Sequence, residues 1–120
     1  LEFRRVLFRS FMSKTIYDMY NVAVKKVDKD KELESRLEHL FEECEEFKAG
    51  IRSIVADCVP NRKVAYSMAL DEAADIFNVL FSFVQKHLAI NSVEDFLQIC
   101  LVKILKHDAF VSTEYRLGVD

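Results

Sequence analysis

An all-α fold, with four helices arranged like a bundle, is what this chain predicts, and two observations carry the prediction. Only two glycines and one proline occur in 120 residues, whereas a sheet protein of this length needs many tight turns built from those residues. Hydrophobic residues, 51% of the chain, recur at helical rather than alternating spacing. With 31% charged residues the composition is that of a globular chain rather than a disordered one. The length allows a single domain with one core.

The helices follow in order. The first is predicted from Lys14 to Val27, where Ile16, Tyr20, Ala23, Val24 and Val27 recur at helical spacing. Asp28-Lys29-Asp30-Lys31 reads as a solvated connection. The second helix is expected from about Lys31 to Cys58, with Leu33, Leu37, Leu40, Cys44, Phe47, Ile51 and Val55 on one stripe. Val59-Pro60-Asn61 ends it, because proline disfavours helical geometry in the residue before it. The third spans Arg62 to Leu88 and is apolar around most of its circumference between Ile76 and Val84, leaving Asn78 and Ser82 on the remaining arc. Ser92, three residues before Asp95, resembles a capping box and starts a fourth helix expected to run from Val93 to Lys106. Phe96, Leu97, Ile99, Cys100, Leu101, Val102, Ile104 and Leu105 make that helix too apolar for one buried face. Four such helices cannot bury all this surface alone, so a homodimer or homotetramer is expected.

Residues 1–11 stand apart. After Glu2 they hold no acid and sustain no helical pattern, and Met12-Ser13-Lys14 reads as a natural start. They are expected to be a non-native or disordered leader to a domain over 12–110, with 111–120 a loose tail. The rival reading is a basic targeting or membrane-surface segment.

A net charge of −3 provides no basic excess to displace counterions, so a nucleic-acid polymer is not the expected partner. No apolar run reaches the length of a membrane span, and no membrane association is expected. Cys44, Cys58 and Cys100 lie far apart in no metal-binding spacing. Their odd number suggests a reducing compartment, with the cytoplasm the expected location and the thiols acting as small core residues.

The chemistry lies in two acidic segments, Glu42-Glu43-Cys44-Glu45-Glu46 and Asp71-Glu72-Ala73-Ala74-Asp75. Glu43 and Glu46 are three apart and project from neighbouring positions on one side of their helix, with His39 and Gly50 along the same flank. Glu72 and Asp75 are also three apart, and Glu72 shares its angular sector with Val79 and Phe83. If the two helices pack antiparallel, both acid pairs meet near the middle of the bundle. One like-charged pair at ~4 Å costs roughly 1 kcal/mol in water and about 4 kcal/mol at an intermediate dielectric. Several such pairs call for protonation or a cation. An all-oxygen donor set suits Mg²⁺, with Mn²⁺ a possible substitute. That setting serves phosphoanhydride hydrolysis, the metal neutralising the phosphates while a carboxylate activates water. The other reading of the same residues is a solvated acidic face.

Glu42-Glu43-x-x-Glu46, followed after about 25 residues by Glu72-x-x-Asp75, resembles the signature of the MazG-like all-α NTP pyrophosphatase superfamily. That superfamily includes MazG-like enzymes, dCTP pyrophosphatases, dimeric dUTPases and phosphoribosyl-ATP pyrophosphatases. His39 to Ile51 resembles its first metal helix; Leu70 to Leu97 resembles its second, with the short loop and next helix. The likeness covers roughly Leu37 to Lys106. It implies a MazG fold and Mg²⁺-dependent hydrolysis of a nucleoside triphosphate to the monophosphate and pyrophosphate. It further implies Glu43, Glu46, Glu72 and Asp75 as metal ligands. Glu42, the extra acid, would bind a second metal or orient water, so that Glu42 and Glu43 are the catalytic candidates. His39 is a candidate base contact or outer group, or else a surface histidine, and Tyr17, Tyr20 and Phe41 are candidates to stack on a nucleobase, or else core residues. The chain departs from the family after the last helix: Lys103-Ile104-Leu105-Lys106-His107-Asp108 lacks the asparagine and arginine of the substrate-contacting cluster many relatives carry. Lys103 and Lys106 remain candidates for phosphate contact; the alternative is that they complement a helix end. Phosphoribosyl-ATP as substrate, and a non-catalytic interaction module of the same fold, stand as alternative functions.

Overall fold

The structure, a computed structural model, describes residues 15–56 and 59–116, without the side chains of 109–116. The expected leader, the start of the first helix at Lys14, the expected end of the second at Cys58 and residues 117–120 lie outside the described residues. All described regular structure is helical. Helix α1 covers residues 15–23 and tightens into a 3₁₀ turn, Val24–Lys26. Helix α2 is Leu33–Val55, α3 is Arg62–His87 and α4 is Val93–Arg116.

The ends have local causes. Asp28, with φ 52°, turns the chain between α1 and α2; aspartate visits this left-handed region more readily than most residues. Asn61 opens α3, its Oδ1 accepting from the Lys63 and Val64 amides at 3.0 and 3.3 Å. Ser92 Oγ accepts from the Asp95 amide at 3.2 Å, as the capping pattern predicts. A second cap on α4 comes from across the fold: Asn21 of α1 accepts from the Val93 amide and donates to Glu94 Oε1, both at 2.8 Å.

Just past the end of α3, Ala89 is held at φ 59°, the position where glycine usually ends a helix. A Cβ there costs about 1–2 kcal/mol, against about 0.4–1 kcal/mol of extra chain entropy that glycine loses on folding. Ala89→Gly is therefore expected to raise the melting temperature by a few degrees. A lower value in thermal melts would show that Ala89 is not strained.

Helices α2 and α3 form an antiparallel hairpin. Arg36 near the start of α2 meets Ser82 late in α3, and Gly50 late in α2 lies against Glu72 early in α3. The described hydrophobic core lies at one end of this hairpin, where α1 and the first turns of α4 cover the second half of α3. Val24, Phe81, Val84 and Val93 are buried there, ringed by Tyr20, Val27, Phe77, Leu80, Ile90 and Phe96. Phe81 is fully buried, with the rings of Tyr20 and Phe96 at 5.9 and 5.8 Å and that of Phe77 stacked at 6.4 Å.

Three expectations are corrected. The face of α2 toward α3 is turned by about 60° from the predicted apolar stripe, given 100° per residue, so that Leu37, Leu40 and Phe47 stay half-buried. Arg36 is buried on it, while Leu33, Cys44, Ile51 and Val55 are exposed. Polar groups that find partners across the seam share it with part of the apolar stripe. Cys44 is accordingly no core thiol, whereas Cys100 is half-buried. Helix α4 does not stop at Lys106 but crosses the expected domain boundary to Arg116, because residues 107–116 contain neither glycine nor proline. Much of its apolar surface is open: Ile99, Leu101, Val102, Ile104 and Leu105 are all exposed.

Candidate functional site

The α2/α3 seam divides into an acidic and a basic half. On α2, periodicity places Arg36, Glu43 and Gly50 in line, seven residues or about 10 Å apart along the axis. The Arg36–Ser82 and Gly50–Glu72 contacts set the register between them, so Glu43 and Glu46 lie level with the stretch of α3 that follows Glu72.

Glu43 is half-buried. Its Oε1 faces His39 Nε2 at 3.1 Å, and its Oε2 is buried with no hydrogen-bond partner. Glu72 is also half-buried, and its Oε2 is likewise buried and unpartnered. That oxygen lies where a Cβ at position 50 would approach it to 3.3 Å, so the absence of a side chain at Gly50 makes room for it. Buried oxygens left without a donor are costly. Glu42, Glu46 and Asp75 are exposed. Among the described residues, no three histidine, cysteine or acidic side chains converge on a common metal position. Two of the four expected ligands thus share the seam with orphaned oxygens, while the other two sit on its solvent edge.

His39 bridges Asp28 and Glu43. Its Nδ1 lies 2.9 and 2.8 Å from the two Asp28 oxygens, while Nε2 faces Glu43. Only the protonated ring donates on both sides. The hydrogen bond to Asp28 is the main cause that lifts the His39 pKa above its ordinary 6.5; burial and the Lys31 charge oppose it. A raised folded-state value means that stability is fully present below the unfolded pKa and is lost as pH rises through the folded one. In metal-free protein, thermal stability should therefore fall as pH rises from about 6.5 upward, and His39→Gln should flatten that slope. An equally steep slope in the variant would remove His39 as its source.

The sequence gives no hint of Asp28 as a member of this group, since it reads there as part of a solvated connection. Its side chain is nevertheless only 6% exposed, and it also pairs with Lys31 at 3.4 Å. Arg36 and Ser82 were equally hidden. Arg36 Nη1 donates to Ser82 Oγ at 2.8 Å, Arg36 Nε donates to the Lys31 carbonyl at 2.9 Å, and Ser82 Oγ donates to the Val27 carbonyl at 2.7 Å. The only signal available was the placement of Arg36 two turns before Glu43 on the same face.

The remaining candidates lie elsewhere. Lys103 and Lys106 are exposed and line an open groove along α4 with Asp95, Gln98, Ile99 and Val102. None of the five candidate acids borders it, so a single chain does not bring these lysines to the carboxylates. Tyr20 belongs to the core, its hydroxyl donating to Asn78 Oδ1 at 2.9 Å and burial pushing its pKa up to about 12. Tyr17 and Phe41 are exposed. Among the described residues, no helix is long and apolar enough to cross a membrane. Compared with protein-family models, curated proteins and solved structures, the chain matches none.

Proposed function

We propose that this chain is a Mg²⁺-dependent nucleoside triphosphate pyrophosphohydrolase of the MazG-like all-α type. The observation that carries the reading is the pair of buried, unpartnered oxygens, Glu43 Oε2 and Glu72 Oε2, on facing helices. A buried carboxylate oxygen without a donor is costly, and a cation entering the seam would lower that cost for each. The donor set of Glu43, Glu46, Glu72 and Asp75 is all oxygen, which fits Mg²⁺ with retained waters. When bound, the ion neutralises phosphate charge and lowers the pKa of water in its shell.

The residues of the chain divide the work. His39 holds Glu43 Oε1, leaving Oε2 directed into the seam. Gly50 leaves space for Glu72. Glu46 and Asp75, one turn along from these two, complete the set by side-chain rotation from the solvent edge. Glu42 and Glu43 are the candidates to orient and deprotonate water. The open apolar surface of α4, together with Ile16, Met19 and Val22 of α1, supports a homodimer or homotetramer. In such an assembly Lys103 and Lys106 of one copy have a route to the phosphates held by another. Cytoplasmic location remains part of the proposal.

The test is pyrophosphate release from a panel of canonical and modified NTPs and dNTPs, with Mg²⁺ or with EDTA. The expected result is metal-dependent release from at least one member, with Mg²⁺ raising the melting temperature by mass action. Silence across the panel with a clear Mg²⁺ shift points to phosphoribosyl-ATP as substrate. Silence without any shift establishes the non-catalytic reading, which the lack of a converged three-donor group favours.

A further inference from the structure

The other half of the seam has its own chemistry. Lys25, Lys29, Arg36, Ser82, Gln85 and Lys86 line an open recess of about 150 Å³. Four of the six are cations and none is an acid. They converge from four segments: the 3₁₀ turn after α1, the connection to α2, the first turn of α2 and the end of α3.

Arg36 is what sets this recess apart from an ordinary basic surface. It is only 3% exposed, and among the described residues it makes no ion pair. Its contacts are all neutral: the Lys31 carbonyl, the Ser82 hydroxyl and, at 3.5 Å, the Ser82 carbonyl. A buried guanidinium with neutral acceptors alone leaves much of its desolvation uncompensated. Its position compounds the cost, because the first turn of α2 is the positive end of that helix dipole. Three lysines around the same opening add repulsion rather than relief. Lys25 and Lys86 complement helix dipoles from their last turns; Arg36, at a helix start, is tied to Ser82 and Lys31 but has no partner for its charge. An anion in the recess would offset this excess of positive charge.

We infer that the Lys25–Lys29–Arg36–Lys86 recess binds a phosphate oxyanion. Its volume lies below the about 300–1,000 Å³ of pockets that enclose drug-sized ligands, which suits a phosphoryl group and excludes a whole nucleoside. Arginine provides the planar donor fork and the lysines the point charges that phosphate recognition uses. The oxyanion has two sources, free phosphate or pyrophosphate, and the terminal phosphate of a nucleoside triphosphate. The second rests on the proposed hydrolytic function, since Arg36 lies about 10 Å along α2 from Glu43.

Calorimetric titration of the full chain with inorganic phosphate and with pyrophosphate, in EDTA and at ionic strength fixed by chloride, tests the recess independently of metal and turnover. Saturable binding is expected, and the exposed double variant Lys29→Glu/Lys86→Glu should weaken it about tenfold or more while keeping the helical circular dichroism of the unsubstituted chain. Arg36→Lys, which keeps the charge but loses the fork, should retain only part of the affinity. Absence of saturable binding overturns the inference, as does equal affinity in the double variant. If the chain hydrolyses a triphosphate, a raised KM with unchanged kcat in the double variant identifies the substrate's terminal phosphate as occupant. An unchanged KM with weakened pyrophosphate inhibition identifies the free anion. Pyrophosphate binding in a chain that hydrolyses nothing refutes the hydrolase and leaves the recess standing.

Discussion

Replacing Glu72 with glutamine is expected to abolish Mg²⁺-dependent pyrophosphate release while making the metal-free protein more stable. The two effects share one cause. Glu72 Oε2 is buried without a hydrogen-bond partner, and an unsatisfied buried polar group costs about 1–3 kcal/mol, more when it is charged. Glutamine keeps the size that Gly50 accommodates and removes the charge, so the metal-free variant should gain about 1 kcal/mol. On the proposed reading the same change removes a metal ligand and should lower kcat by about 10²–10³ or more, the scale of losing one electrostatic contact to the reacting group. Glu43→Gln provides the contrast. Its Oε1 already faces His39, so losing that charge weakens an existing interaction, and turnover should vanish without the gain in stability. Steady-state rates and melts in EDTA check both. A Glu72→Gln protein that keeps full activity and the same Mg²⁺-induced shift removes the carboxylate assignment.

The largest expected loss of stability comes from Phe81→Ala. Phe81 is completely buried and touches aromatic rings from α1, α3 and α4, so it joins three of the four helices. Truncating such a ring costs about 3–5 kcal/mol out of a net stability of about 5–15 kcal/mol. The variant should therefore be largely unfolded at temperatures where Ala89→Gly is not. Urea denaturation measures the difference. A cost below about 1 kcal/mol would mean that the cluster is loosely packed, since losing even one well-packed ring exceeds that value.

The elements differ in how legible they were, and the reasons are local. Arg62–His87 departs from its sequence reading by one residue at the end, because Pro60 and Asn61 mark the start and the apolar pattern stops sharply. Helix α4 runs ten residues past its expected end at Lys106, because no breaking residue follows there. The inward face of α2 keeps only Leu37, Leu40 and Phe47 of the apolar stripe, because periodicity ranks residues by hydrophobicity. It cannot register that Arg36 finds Ser82 across 46 residues. The same limit applies to the site. Glu43 and Glu72 could be placed on the seam because their helical neighbours are apolar. Asp28 and His39 could not be paired, since their contact depends on a left-handed turn that composition leaves unspecified. Glu46 and Asp75 follow the motif, yet the described side chains leave them at the solvent edge.

The clasp that Asn21 makes on the start of α4 has a consequence for the order in which the chain assembles. The α2/α3 hairpin joins neighbours in sequence and closes over a short loop, whereas Asn21 reaches Val93 and Glu94 across 72 and 73 residues. Short closures form first and long ones last. The hairpin, with its acidic and basic halves, can thus be in place before α1 and α4 meet. The reverse motion is a subglobal opening in which the clasp parts while the hairpin stays zipped. In hydrogen exchange the Val93 amide, bound to a side chain rather than within its helix, would then follow the release of α1 instead of global unfolding. Each such opening uncovers Phe81 while leaving Arg36, Glu43 and Glu72 in register.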